Sequence, residues 1–128
     1  VEGVTFVDKD TLLRESDIVT LHIALNKETR DFISANDFAL MKSSAILINT
    51  ARGPVVNEQA LADALKQGKI AAAATDVYST EPPLKPENLL FGAPNFIMLP
   101  HIGFATEEAF VLRLGIVVEN VMRWINEE

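Results

Sequence analysis

The chain contains no cysteine. Without thiols it can form neither a disulfide nor a thiolate metal site, and we predict no metal site of any kind. Cysteine-free sequences fit a reducing compartment, where disulfides are rare. We therefore expect a cytoplasmic protein.

Basic charge and long apolar runs are also scarce. Eleven Lys and Arg residues stand against 18 Asp and Glu residues, which gives a formal net charge of -7 at pH 7. A basic surface is the usual footprint of nucleic-acid binding, so we expect no nucleic-acid partner. The longest apolar runs, such as residues 70–74, are too short to span a bilayer, and residues 1–10 lack the profile of a signal peptide. We expect no membrane partner either.

Glycine is present at six positions only: 3, 53, 68, 92, 103 and 115. No arrangement of these positions gives the G-x-G-x-x-G turn that lets a backbone approach a pyrophosphate at the start of a helix. We conclude that a glycine-rich phosphate-binding loop is missing from this sequence.

What the sequence does contain is a regular alternation of short apolar runs and segments of helical period. With 128 residues, 48% of them hydrophobic, we predict one domain over residues 1–128 with one core. Runs of four to six aliphatic residues predict strands buried on both faces by crossover helices, hence an α/β fold with a parallel sheet. The predicted strands are residues 4–7, 18–23, 45–49, 71–76 and 96–99.

Four helices are predicted between and after these strands. Asn57 can cap one of them and Gly68 can end it; the others cover residues 11–15, 34–41 and 106–126. The last helix is apolar on more than one side, so we expect it to pack against another domain or subunit as well as its own sheet. Residues 79–94 contain four prolines and predict a long irregular loop.

Charged residues follow three of the predicted strands. Arg52 comes after the third, Asp76 and Glu81 after the fourth, and His101 after the fifth. Ligands of open parallel sheets bind beyond the carboxyl ends of the strands, where these groups would converge. Arginine can bind a carboxylate in a bidentate manner, and a histidine beside a carboxylate can transfer protons near neutral pH. The set suits redox chemistry on a small hydroxy acid. The other histidine, His22, falls in an apolar strand, and we interpret it as structural.

Three motifs carry a resemblance to a known family. They are LINTARG at residues 47–53, ATDVY at 74–78 with EPP at 81–83, and PHIG at 100–103. Glu81 follows Arg52 by 29 positions, as in that family. The sequence resembles the NAD-dependent D-isomer-specific 2-hydroxyacid dehydrogenases, such as phosphoglycerate and glycerate dehydrogenases, over essentially its whole length.

The resemblance implies roles for individual residues. Arg52 would hold the carboxylate and carbonyl of a small 2-hydroxy or 2-keto acid, His101 would donate or accept a proton, and Glu81 would pair with His101. Asp76 would accept a hydrogen bond from the cofactor carboxamide, although it could instead cap its own turn. The cofactor would be NAD, with NADP left open, and its nicotinamide half would contact Thr50, Ala51, Arg52, Asp76, His101 and Gly103.

The resemblance also implies what this chain lacks. It would form a partial Rossmann-type sheet of four or five strands without the first two strands, the glycine-rich loop and the substrate domain, so we expect the isolated chain to be inactive. In the strand order 3-2-1-4-5-6, residues 4–7 would have no neighbour and residues 18–23 would form an exposed apolar edge. We therefore predict a homodimer or larger assembly. The alternative is a non-catalytic, self-associating half-domain that binds no cofactor. Phe104 stands where the family has a small residue, which predicts a narrower substrate pocket.

Overall fold

A four-stranded parallel sheet organises the chain in the computed structural model, which describes residues 2–80 and 84–126. The strands are β1 (Ile18–Leu21), β2 (Ile46–Asn49), β3 (Ala72–Thr75) and β4 (Phe96–Met98). They lie side by side in chain order, with Val19 opposite Leu47 and Leu47 opposite Ala73. The prediction of an α/β fold with a parallel sheet is confirmed.

Local capping groups define the helices. The helices are α1 (Lys9–Glu15), α2 (Ala35–Phe38), α3 (Glu58–Lys66) and α4 (Glu107–Asn126). Asn57 caps α3 as predicted, because its side chain accepts a hydrogen bond from the backbone N–H of Ala60 at 2.9 Å. Helix α2 ends three residues before its predicted end. Leu40 N–H donates to the carbonyl oxygen of Asp37, three residues earlier, and this turn is tighter than an α-helical one. A short 3₁₀ helix at Gly53–Val55 precedes α3.

The core lies on one face of the sheet. Val19, Leu21, Leu47 and Ala73 are buried on that face, and α2 and α3 pack against each other with buried apolar side chains. Burial of a Leu or Phe side chain contributes about 1.5–3 kcal/mol each. The opposite face, which includes Ile18, is partly exposed. The prediction of strands buried on both faces is therefore wrong, because the described helices bury only one face completely.

The predicted strand at residues 4–7 is also wrong. These residues form no regular structure, and Phe6 is 89% exposed. A strand needs a neighbour for its backbone hydrogen bonds, and all four strands pair in chain order without including this segment. The next residue, Asp8, caps α1, because its side chain accepts a hydrogen bond from Thr11 N–H at 2.9 Å.

Helix α4 has the predicted bounds within one residue, but the sequence-based prediction that it packs on its own sheet is wrong. Within the described residues, α4 buries no side chain, and apolar residues such as Val111 and Trp124 are more than two thirds exposed. Across residues 2–80 and 84–126, no helix has the length and apolar character needed to cross a membrane.

Candidate functional site

The loop after β2 is folded around the side chain of Asn49. This buried amide accepts a hydrogen bond from Ala51 N–H at 3.1 Å and donates one to the carbonyl oxygen of Arg52 at 3.1 Å. The next residue, Gly53, lies against the backbone of Tyr78, where a side chain would have no room. The side chain of Arg52 is exposed at the sheet edge, and its guanidinium donates to the carbonyl oxygen of Ala51 at 2.6 Å. The arginine therefore projects from a loop that is held in place by the side chain of Asn49 and by close approach to the backbone of Tyr78.

The loop after β3 is tied to the end of β2. Asp76 N–H donates to the carbonyl oxygen of Asn49 at 3.0 Å, and the hydroxyl of Thr75 donates to the carbonyl oxygen of Val77 at 2.8 Å. The side chain of Asp76 is buried, and its two oxygens accept hydrogen bonds from Ile102 N–H at 2.8 Å and Gly103 N–H at 2.7 Å. These bonds reach across to the loop after β4.

The loop after β4 carries His101 in a left-handed backbone conformation, with φ of 56°. Before it, Leu99 N–H donates to the carbonyl oxygen of Thr75 at 2.9 Å, and the Tyr78 hydroxyl donates to the carbonyl oxygen of Leu99 at 2.8 Å. After it come the two amides bound by Asp76. The histidine is therefore flanked on both sides by bonds to β3 and its following residues.

A polar cavity of about 580 Å³ lies between these three loops and α4. Its walls combine the predicted cation, carboxylate and imidazole, and it is lined by Thr50, Arg52, Asp76, His101, Gly103, Phe104 and Arg113. Ala51 lines the adjoining cavity of about 650 Å³, which shares Thr50 and Arg52 and extends to residues 22–25. The structure thus brings together all the predicted site residues except Glu81, which lies outside the described residues.

One residue of this cavity, Arg113, is not predicted from the sequence, whereas Phe104 is. Arg113 lies in α4, and its guanidinium carbon is 4.9 Å from the ring centre of Phe104. The Phe104 ring in turn contacts the His101 ring edge-on, with 6.3 Å between the two ring centres. Arg113 is the seventh residue of a helix whose sequence pattern predicts an apolar surface, so the sequence gives no signal that this side chain faces the site.

A second, apolar cavity of about 510 Å³ also has His101 in its wall. Tyr78, Leu84, Phe91 and Met98 are among its walls. His101 therefore borders both a polar cavity and an apolar one. His22, the second histidine, lies just beyond β1 and lines the cavity next to Ala51; its ring nitrogen is 2.9 Å from the hydroxyl of Thr20.

Comparison with known proteins places the chain among dehydrogenases. Residues 1–103 match the family model of the D-isomer specific 2-hydroxyacid dehydrogenase, NAD binding domain. The chain is 45% identical over 126 residues to the glyoxylate reductase of Thermococcus litoralis, covering 98% of this chain and 38% of that protein. It is 46% identical over 121 residues to the glycerate dehydrogenase of Methylorubrum extorquens, covering 93% of this chain and 38% of that protein.

A solved structure gives the same result. The D-lactate dehydrogenase with NAD+ from Lactobacillus jensenii superposes with a TM-score of 0.88 at 35% identity, covering 97% of this chain and 41% of that protein. The chain thus spans about two fifths of the length of these relatives.

Proposed function

Since the chain belongs to the D-isomer specific 2-hydroxyacid dehydrogenase family, we propose that it forms the nicotinamide side of an active site that interconverts a small D-2-hydroxy acid and its 2-keto acid. The observation that carries this proposal is the shared cavity of Arg52, Asp76 and His101 at the carboxyl edge of the sheet. Cation, carboxylate and imidazole come from three different strand ends, and only the fold brings them together.

The residues present fit the nicotinamide half of NAD. The cavity next to Ala51 offers apolar walls at Ile23 and Leu25, while the cavity at His101 offers charged groups, and the two adjoin at Thr50 and Arg52. An apolar wall beside polar groups suits a flat ring that carries an amide. Bound NAD would supply or accept the hydride. Thr50, Ala51, Asp76 and Gly103 would hold its nicotinamide half.

The chain's own side chains would bind the substrate and move the proton. The Arg52 guanidinium can bind the substrate carboxylate through two parallel N–H donors and stabilise charge on the neighbouring oxygen. The His101 imidazole would donate a proton to that oxygen during reduction and accept it during oxidation. We propose that Glu81 pairs with His101 and keeps its ring oriented.

A chimera tests this function. The chain replaces the matching segment of the Thermococcus litoralis glyoxylate reductase, and glyoxylate-dependent oxidation of NADH is followed by absorbance. We expect His101→Gln to lower kcat by about 10²–10⁴-fold, the usual contribution of a general acid. Arg52→Lys should raise KM, because lysine cannot replace a bidentate contact. Arg30→Lys, an exposed arginine away from the cavity, is the matched control. A folded chimera in which His101→Gln leaves kcat unchanged would refute the proposal.

We also propose that the isolated chain forms a homodimer or larger assembly. Helix α4 exposes apolar side chains along its whole length, including Phe110 and Trp124, and Ile18 is 59% exposed on the edge strand β1. Apolar surfaces of this extent favour association. A monomer in size-exclusion chromatography at micromolar concentration would contradict this proposal.

The non-catalytic alternative makes a different prediction. If the chain is a self-associating half-domain, the isolated chain will assemble but NADH will not quench or shift its fluorescence in a saturable way. For the isolated 128-residue chain we expect no turnover, because its sequence contains no glycine-rich phosphate loop. We expect a cytoplasmic location and preference for NAD, with NADP as the competitor to include in the titration.

A further inference from the structure

We propose that Asp76 is a positioning residue that holds the loop of His101 in its left-handed conformation. This inference rests on the proposed role of His101 in proton transfer, and it concerns a carboxylate to which the resemblance assigns only a contact with the cofactor. A left-handed backbone is rarely adopted by residues other than glycine, so neighbouring contacts must maintain it. The structure shows which contacts do so.

The carboxylate of Asp76 binds two consecutive backbone amides directly after His101. Oδ1 accepts from Ile102 N–H at 2.8 Å and Oδ2 accepts from Gly103 N–H at 2.7 Å. Both distances are in the short range typical of charge-assisted bonds. Asp76 is only 4% exposed, so water cannot readily replace either bond. One rigid side chain therefore fixes the orientation of two successive peptide groups.

The residue at position 103 allows this arrangement. A Cβ atom at Gly103 would lie 2.9 Å from Oδ2 of Asp76, closer than real side chains come. Glycine leaves room for the carboxylate to approach the backbone. Because the side chain at position 76 lies so close to the backbone of Gly103, a change in the shape of that side chain should disturb the loop.

The other side of His101 is fixed separately. Leu99 is bonded through its N–H to the carbonyl oxygen of Thr75 and through its carbonyl oxygen to the Tyr78 hydroxyl. The backbone is thus held at residue 99 and again at residues 102 and 103. Asp76 itself donates through its N–H to the carbonyl oxygen of Asn49, the last residue of β2, directly before the loop that carries Arg52. The carboxylate consequently links the position of the imidazole to that of the guanidinium.

Nuclear magnetic resonance on the 128-residue chain tests the proposal without requiring activity. Asp76→Asn keeps the side-chain shape but replaces one acceptor oxygen with an amide group that faces a backbone N–H. Asp10→Asn makes the same chemical change at an exposed position of α1 and is the matched control. We expect Asp76→Asn to accelerate hydrogen exchange of the Ile102 and Gly103 amides by at least about tenfold, with the β2 and β3 amides unchanged.

A second readout addresses the conformation of His101 itself. The three-bond coupling between its amide and α protons reports φ, and the nuclear Overhauser contacts between its ring and the Phe104 ring report the side chain. Both should change in Asp76→Asn and stay unchanged in Asp10→Asn. If the coupling, ring contacts and protection of residues 101–103 persist in Asp76→Asn, the proposal is wrong. Loss of protection throughout the sheet would also overturn it, since Asp76 would then stabilise the whole fold and not this loop. Failure of the chimera to reduce glyoxylate would refute the proposed function and leave this measurement decisive.

Discussion

Gly53→Ala should destabilise the chain strongly, because this glycine lies where the backbone after β3 crosses the loop after β2. An added Cβ would be 1.9 Å from the carbonyl carbon of Tyr78 and 2.2 Å from its oxygen. Ordinary van der Waals contact begins at 3.4 Å, so the two chain segments would have to separate by about 1.5 Å. Both are backbone, and neither can rotate away as a side chain would.

Overpacking in a close-packed region costs about 1–3 kcal/mol and occasionally more. We expect about 3 kcal/mol here, since the displaced Tyr78 segment also carries the hydroxyl that bonds to Leu99. That is a large fraction of the 5–15 kcal/mol by which domains are stable, and corresponds to a fall in Tm of roughly 10 °C. The free energy of unfolding is measured by urea titration followed by circular dichroism.

The control is the same substitution at Gly115. No atom lies within 4 Å of a Cβ built there, and alanine in a helix interior is favoured over glycine by about 0.5–1 kcal/mol. Gly115→Ala should leave the main unfolding transition unchanged and increase helicity slightly. A Gly53→Ala chain within 1 kcal/mol of the parent would show that the loops after β2 and β3 separate easily, and the description of a tightly crossed site would be wrong.

Three further predictions concern α2, α3 and the cavity. Burial raises the pKa of Asp37, but hydrogen bonds from Lys9 and Ser34 outweigh this effect and hold the pKa below its ordinary value of 3.8. The ionised carboxylate therefore stabilises the fold above that value, and this stabilisation is lost as the pH falls through the lowered pKa. In Asp37→Asn the free energy of unfolding, measured by urea titration, should therefore depend less on pH between pH 5 and pH 2 than in the parent chain. Asn57→Ala removes the cap of α3 and should lower the free energy of unfolding by about 1 kcal/mol in urea titrations; an unchanged midpoint would contradict the capping role. Phe104→Ala should enlarge the cavity and raise kcat/KM of the chimera for 2-keto acids bulkier than glyoxylate, and equal ratios for all keto acids would refute a narrowing role.

The sequence predicts an element well when its signal is local. Asn57 is followed by an apolar stripe of helical period, and both the cap and the helix are found. The four paired strands were predicted from aliphatic runs alone, each within two residues at either end. Residues 4–7 have the same kind of apolar run, yet they form no strand. A strand exists only with a partner, and the pattern of a single segment contains no information about its partner.

The same reasoning explains which parts of the site were predicted. The identities of Arg52, Asp76 and His101 follow from their positions within three residues of a strand end, because parallel strands end at one edge of the sheet. Their bonds do not follow, since the partners of Asp76 are backbone amides 26 and 27 positions away. Arg113 was missed because its place in the cavity depends on the direction of α4 after residue 106.

The hydrogen bonds of Asp76 also explain how its carboxylate can be buried without a ligand. A buried carboxylate without partners would be costly, and the usual expectation at a binding edge is that a ligand satisfies it. Here two backbone amides already do so in the protein alone. Each carboxylate oxygen still has capacity for a second hydrogen bond, so a contact with the cofactor carboxamide remains compatible with the loop bonds. Cofactor affinity and the geometry of His101 would then share one carboxylate, and substitution of Asp76 should affect both.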